Sequence, residues 1–531
     1  MTQAGRFRAP REDGGLLAQP ALASALDMLA ENQAHLAAWD HDFQGRKADR
    51  LREMVRRELR ERTRAFHERH GLGPPPALDE DGPLIVTGHQ PEPFHPGVWV
   101  KNFAVAGLAR KSGGMGLNLI VDNDLPKASS VRVPTLTPLG LRTVAVPFDS
   151  EGEDLPFEDL AQRDEAAFAQ FPDEVRALMA GLVADPVLDV LWPEMLEASK
   201  QTSRVGLRWA VSRHRLEESW GVLNAEVPLS SVCETDGFLW FAAHVLAHLP
   251  RFQEVHNDAL TRYRKAHGLR SRHHPVPALG REGDWLEAPF WVWRKDRPRR
   301  RPLMARQRGA SLDLRIAGED EVLLGLPLAG DREACCAVEL LRGLPAAGVR
   351  LRTRALTTTM FARLLVADLF VHGIGGAKYD ELGDEIVRAF FGFVPAGYLT
   401  LSLTAWLGLP ELPATENELR QVARLVRDLE FNPDRHLAPR ARKGLEGPLM
   451  ERQAALDMPT TTHNERVDRF RAIRRANAAL APFLDAQRVS LETRKTALSA
   501  EIRQNALARG REYAFVLHSV ARLRGLLMAH A

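Results

Sequence analysis

The stretch that most constrains the fold is "PLIVTGHQPEPFHPGVWVKNFAVAGLARKSGGMGLNLIVDND", residues 83–124. "PLIVTG" is a short apolar run with the length of a buried strand. "VWVKNFAVAGLARKSG" reads as a helix that stops at Gly113–Gly114, and "LNLIVDND" is a second apolar run ending in carboxylates. Strand, helix and strand within about 40 residues form a βαβ unit, so the chain is expected to build an α/β fold around a parallel sheet. "LRTVAVPF" (residues 141–148) reads as a third strand.

The turn between the first strand and the helix is dense in polar side chains. Gly88, His89, Gln90 and His95 lie in it, Lys101 and Asn102 follow at the start of the helix, and Pro91, Pro93 and Pro96 restrict the backbone. A parallel strand delivers its following loop to the carboxyl edge of the sheet, where α/β folds bind ligands. The next helix points unpaired N–H groups at the same place, which favours phosphate or carboxylate. Lys101 adds a positive charge, and the histidines could hydrogen-bond a phosphate or stabilise charge developing on it. Asp122 and Asp124 end the next strand. If the two strands are neighbours, one of these carboxylates could hold a hydroxyl, an amine or Mg²⁺, assisted by Asn123 and Lys127. Solvated histidines in a proline-rich connector, and an ordinary Asp-Asn strand-end turn, are the plainer alternatives.

A second concentration lies at "HGIGGAKYDELGDE", residues 372–385. Gly373, Gly375 and Gly376 permit close backbone approach to a ligand. Lys378, Tyr379 and Asp380 supply a charge, an aromatic face and a carboxylate, and Arg354 and Arg363 lie nearby in sequence. The pattern is neither a Walker loop nor a complete G-x-G-x-x-G, so a glycine-rich corner between helices is nearly as good a description. Three weaker signals carry little: His244 and His248 four apart without a third ligand, the basic run "RKDRPRRRP" at 294–302, better read as a solvated hairpin turn, and Cys233 without a helper.

The remaining chain divides by pattern. Residues 1–75 read as an N-terminal helical segment ending near Gly71, followed by the linker "PPPALDEDGP". Residues 83–150 hold the first part of the core, 151–274 a helical insertion broken at Pro250, and 275–330 a small β-rich segment. Residues 331–410 hold the second part of the core with the glycine-rich loop. There the threonine cluster offers an N-cap, "MFARLLVADLFVH" reads as an apolar helix, and "GYLTLSLTAWLG" as β-rich. Residues 413–531 form a C-terminal helical domain in which Leu484, Leu491 and Leu498 recur every seven residues, as in a helical hairpin or coiled coil.

Basic residues number 71 and acidic residues 69, for a net charge of +2; this balance supplies no argument for nucleic acid. Three cysteines, two of them adjacent, do not read as a disulfide framework. With no apolar signal core and no run long enough to span a bilayer, a cytoplasmic location without membrane contact is expected.

The order "TGHQPEPFHPG", "LIVDND", "HGIGGAKYDELGDE" and C-terminal helices resembles the bacillithiol-biosynthesis cysteine-adding enzymes, a family of putative cysteine ligases. That family carries a "TGQQ"-like turn, a second strand ending in an acidic cluster, a "GPGE"-like segment with a tyrosine, and a C-terminal coiled coil. The chain departs from it at His89, where the family has glutamine, in the shortened acidic cluster, and at Gly376 and Lys378, where the family has a glutamate. A looser likeness connects "GHQPEPFHPG" with the HIGH turn of the nucleotidyltransferase and class I synthetase group, and "HQPE" with the WbqC-like proteins. The resemblance implies a Rossmann-like core with large helical insertions and a C-terminal helical or coiled-coil region. It implies a ligase or nucleotidyl-transfer enzyme joining an amine-bearing small molecule, cysteine among the candidates, to an acceptor. His89, Gln90, Asp122 and Asp124 would be catalytic. Gly88, His95, Lys101, Asn102, Gly373, Gly375, Gly376, Lys378, Tyr379 and Asp380 would hold ATP or ADP, with Mg²⁺. The expected partners are a small-molecule substrate and a nucleotide, and a homodimer through the C-terminal helices is left open. The rival reading is a non-catalytic scaffold that binds a nucleotide or sugar phosphate.

Overall fold

Both apolar runs of the 83–124 stretch are strands, and they lie side by side. The computed structural model describes residues 7–76, 82–269 and 276–531; the middle of the proline-rich linker, residues 77–81, and the end of the expected helical insertion, residues 270–274, lie outside them. Six strands form the central sheet: β1 (Leu16–Gln19), β2 (Leu84–His89), β3 (Met115–Ile120), β4 (Ala225–Pro228), β5 (Leu369–His372) and β6 (Tyr398–Leu403). Their order is β1-β6-β5-β2-β3-β4. All neighbours are parallel except β1, which runs antiparallel to β6. The fold is therefore mixed α/β with a largely parallel sheet.

Four helices matter for the site: α1 (Ala48–His70), α2 (Pro96–Ser112), α3 (Val205–Ser219) and α4 (Ile374–Phe391). β3 is buried along its whole length and β2 at all but Gly88, as expected of strands covered on both faces. Gly71 and Gly113 end α1 and α2 in the left-handed conformation, which a residue without Cβ adopts at little cost. Trp99 on α2 is fully buried between Trp220 and Phe515; burying an apolar side chain of this size contributes ~3 kcal/mol.

Three local expectations change. "LRTVAVPF" is a strand, Gly140–Pro147, but it forms a separate two-stranded sheet with Ser130–Thr137. The place beside β3 is taken by β4 instead. "MFARLLVADLFVH" is not one helix. It divides into a short helix (Ala355–Phe361), one wide π turn (Ala362–Val366) and β5. Periodicity cannot separate a buried helix from a buried strand over so short an apolar run. Asp368 supplies the tertiary reason for the break: its carboxylate takes Arg52, Arg56 and the Leu84 N–H, and so pins the start of β5 to α1 and β2. The threonine cluster does not cap a helix. Thr357 donates to the Pro289 carbonyl and Thr359 to Asp380.

The 275–330 segment is an antiparallel sheet, as its alternation suggests. Strands Leu324–Leu326, Ser311–Ile316, Arg297–Arg308 and Trp285–Arg294 lie in that order, and Val349–Thr353 from further along the chain completes the edge.

The chain forms two compact units. The first contains both large sheets and includes Thr143–Leu407 and Arg511–Ala531; the second is Leu136–Arg142 with Gly408–Gly510. In the second unit Leu491, Leu498 and Ile502 pack against Leu419, Val422 and Val426, while Leu480 and Leu484 pack against Leu429, Leu437 and Leu445. The last twenty-odd residues do not share this core. Phe515 packs at a tilt against the rings of Phe94 and Trp99 of the first unit, and its N–H donates to the Phe94 carbonyl.

Candidate functional site

The direction of chain travel reverses at the β2/β5 pair. From β2 the chain proceeds to β3 and β4 on one side, and from β5 to β6 on the other. Open parallel sheets bind ligands at the carboxyl edge of such a pair, where the following loops part. Val371 lies opposite Thr87, and Thr87 Oγ1 donates to the Val371 carbonyl at 2.9 Å. Gly88 and His372 are the next residues of the two strands, still paired to β3 and β6 on their outer sides, and the loops part just beyond them. The two polar concentrations of the sequence, 280 residues apart, thus start from adjacent strands.

At the β2 turn, His89 is buried. Its Nε2 faces Asn102 Oδ1 at 3.2 Å, and its Nδ1 lies 3.2 Å from the Gln90 carbonyl. Asn102 donates through Nδ2 to Glu217 on α3; this orients the amide and makes the imidazole Nε2–H a donor. Burial, with Arg213 and Lys101 nearby, lowers the His89 pKa to about 3, so the ring is neutral at pH 7. Gln90 bridges the two loops: its Nε2 donates to Asp124 Oδ2 at 2.9 Å. Lys101 is buried, donates to the Gly88 carbonyl at 2.9 Å and has no carboxylate partner among the described residues. Burial lowers its pKa to about 7. An anion brought near it would favour the charged form.

His95 has a different task. Its Nδ1 accepts the Gly97 N–H at 3.1 Å, which makes the ring the N-cap of α2. Burial, then Arg511, lowers its pKa to about 3. Gly97 packs so closely that a Cβ there would stand 2.4 Å from the Leu403 carbonyl oxygen. The first turn of α2 is therefore closed by protein. The first turn of α4 is open. Gly373 is its N-cap and offers no side chain to the following N–H groups, and a Cβ on Gly373 or Gly375 would meet nothing within 4 Å. Gly376 differs: a Cβ there would stand 2.6 Å from His372 Nδ1.

Asp380 is a buried anchor. His372 Nε2 (2.6 Å), Arg363 Nη1 (2.8 Å) and Thr359 Oγ1 (2.7 Å) surround its carboxylate. Burial alone would raise its pKa, but His372 and Arg363 hold it below the usual carboxylate range. Lys378 is exposed and Tyr379 half-buried on the following turn.

Asp122 and Asp124 part company. Asp124 accepts from Gln90, from the Leu125 N–H and from Arg300 Nη1 at 2.9 Å. Arg300 comes from the second sheet, within the basic run expected to be a solvated turn. Asn123 donates to the Thr353 carbonyl. Asp122 points the other way and accepts from Ser230 N (2.8 Å) and Ser230 Oγ (2.5 Å). Burial, then Glu158, raises its pKa to about 7, against the lowering effect of the Ser230 bonds.

Ser230, Arg300, Glu158 and Glu217 were not singled out from sequence. Ser230 had a readable signal, since "AEVPLSSV" is a strand running into a turn; Glu217 had none. His244 meets His41, with 3.3 Å between the Nε2 atoms, among aromatic rings. Cys233 is buried, and its thiol is pushed up to about 12, first by that burial. Among the described residues one group has metal-ligand spacing, His214, Glu217 and Glu226. Arg213 pairs with both of its carboxylates at 2.9 and 2.7 Å. Against burial, Glu218 and Glu226 raise the His214 pKa to about 9, so the positive charge a cation would bring is already supplied by Arg213 and the protonated His214.

No family model matches the chain, and no curated protein is significantly similar to it.

Proposed function

We propose that the chain is a Rossmann-like nucleotide-binding protein whose ligand lies where β2 and β5 part. Within that class, the reading best supported is an enzyme of the ATP-dependent ligase or nucleotidyl-transfer type, similar to the bacillithiol-biosynthesis cysteine-adding enzymes. The observation that carries it is the strand order: taken without β1, it puts the His89–Gln90 turn and the uncapped first turn of α4 on adjacent parallel strands at the reversal point. The phosphates would lie on the α4 amides left open by Gly373 and Gly375, not on α2, whose first amides are already occupied. Lys101 would regain its charge as phosphate approaches. His89 would act as a neutral, oriented imidazole rather than as a cation. The residues fit phosphate better than a divalent cation. Asp124 already serves Gln90 and Arg300, so Mg²⁺ would be held mainly by the nucleotide's own oxygens.

In this class of reaction, acceleration comes mostly from positioning and charge stabilisation. Thermal shift with ATP, ADP and AMP, with and without Mg²⁺, is the first test. A rise in Tm is expected for the wild type and is expected to be lost in Gly375→Val, which fills open space, and reduced in Lys101→Met. Release of AMP or ADP dependent on cysteine and a malate-bearing glucosamine acceptor would specify the cysteine-adding reaction. Nucleotide binding without turnover of any amine would favour the scaffold reading. Millimolar nucleotide that leaves Tm unmoved would sink the ligase reading and the nucleotide form of the scaffold reading.

A further inference from the structure

Beside the proposed nucleotide site, past the ends of β3 and β4, lies a cavity of about 400 Å³. Its position is the carboxyl edge of two adjacent parallel strands, where Ile120 and Pro228 reach its wall and Asp122 and Ser230 follow them. This volume suits a small metabolite.

Its charges are arranged in two layers. Deep in the cavity, Arg352 forks onto Glu158 with bonds of 2.9 and 2.8 Å and reaches Glu234 at 2.9 Å. Arg350 faces the same two carboxylates. These inner charges balance one another. At the mouth, Arg62, Arg69 and Arg204 are exposed lining residues, and none of the three has an ion-pair partner among the described residues. Arg62 and Arg69 are not placed there by chance of a loop. With Ala65 and Phe66 they occupy i, i+3, i+4 and i+7 of α1, one face of one helix, about 10 Å apart along its axis. Phe66 and Leu207 supply an apolar wall between the cationic rim and the polar floor. At the floor, the Asp122 carboxyl accepts hydrogen bonds from Ser230 alone among the described residues, so it has lone pairs left for a hydroxyl or amine of a ligand.

We propose that this cavity is a binding site for a small polyanion: two or more carboxylate or phosphate groups held by Arg62, Arg69 and Arg204, with a hydroxyl or amine end reaching Asp122. The site is separate from the nucleotide site and does not depend on it. It would serve as the place for the acidic co-substrate if the chain is a ligase, and as an effector site otherwise. Arginine suits this task because its planar fork matches both carboxylate and phosphate oxygens.

Calorimetric titration of the full chain at low salt with citrate and, separately, with pyrophosphate tests the assignment. One saturable site is expected for at least one probe. Preference for citrate would identify a polycarboxylate ligand, and preference for pyrophosphate a phosphate ester or anhydride. The double variant Arg62→Ala/Arg204→Ala should weaken that binding at least tenfold with Tm unchanged, because neither side chain has an ion-pair partner among the described residues. Arg69→Glu, made separately, should weaken it as well. No binding of either probe, or equal binding by wild type and variants, would overturn the proposal. An ATP arm separates it from the nucleotide reading. ATP that fails to bind while citrate or pyrophosphate does leaves this site standing and removes the other. ATP that competes with the probe and is lost in the same arginine variants would make the cavity part of the nucleotide site, and the separate polyanion site would be wrong.

Discussion

Asp122 and Asp124 are two residues apart, yet their surroundings give them opposite properties. Asp124 sits in a charge-assisted network with Gln90 and Arg300. Asp122 is buried against Ser230 with Glu158 nearby, and its pKa rises to about 7 from an ordinary 3.8. Between those two values the native state keeps a proton that the unfolded chain has released. Stability therefore falls as pH rises through that window, and the penalty is complete above pH 7. Asp122→Asn is expected to raise Tm at pH 8 and to leave it nearly unchanged below pH 4; a pH-independent difference would refute this account. The acidic doublet was visible in the sequence. Its division between two sites was not, because the partners Ser230 and Arg300 lie over 100 residues away. Likewise, His95 was legible as a polar turn residue, but its use as an N-cap depends on backbone angles that composition does not reveal.

At the scale of elements, the glycines of "HGIGG" show how one motif can hold two different constraints. Gly373 and Gly375 face open space, whereas Gly376 lies against a His372 ring that is fixed by its 2.6 Å bond to Asp380. Gly375→Ala should be neutral or stabilising by up to ~1 kcal/mol, since alanine loses less backbone entropy in a helix. Gly376→Ala should cost ~1–3 kcal/mol, because the pinned ring must move. Urea unfolding midpoints distinguish the two, and equal values would show that His372 yields freely. The βαβ unit at 83–120 was legible because its strands are short, mostly apolar runs and its helix is bounded by Pro96 and Gly113. β5 was misread within a longer apolar run. Its boundary is set by the bonds of Asp368 to Arg52, Arg56 and Leu84, which no local window contains.

At the scale of the first unit, the two large sheets are linked near the candidate site by Arg300 with Asp124 and by Asn123 with the Thr353 carbonyl. Arg300→Ala removes a charge-assisted bond from a partly buried carboxylate and should cost on the order of 1–2 kcal/mol. It should also speed hydrogen exchange at the amides of residues 122–125; unchanged exchange there would mean that the link does not hold the loop. No helix among the described residues is long and apolar enough to cross a membrane, in keeping with the apolar runs read along the chain. The C-terminal leucines do meet apolar partners, within the second unit. The sequence by itself determined the α/β class, the βαβ unit and the two polar turns, because hydrophobic periodicity and glycine or proline punctuation are local properties. Only the tertiary structure decided that β2 and β5 are neighbours, that α2 is closed and α4 open, and that the arginines of α1 share a cavity with Asp122. Those outcomes depend on strand order and on buried ion pairs between residues far apart in the chain, and such contacts leave no periodic trace along it.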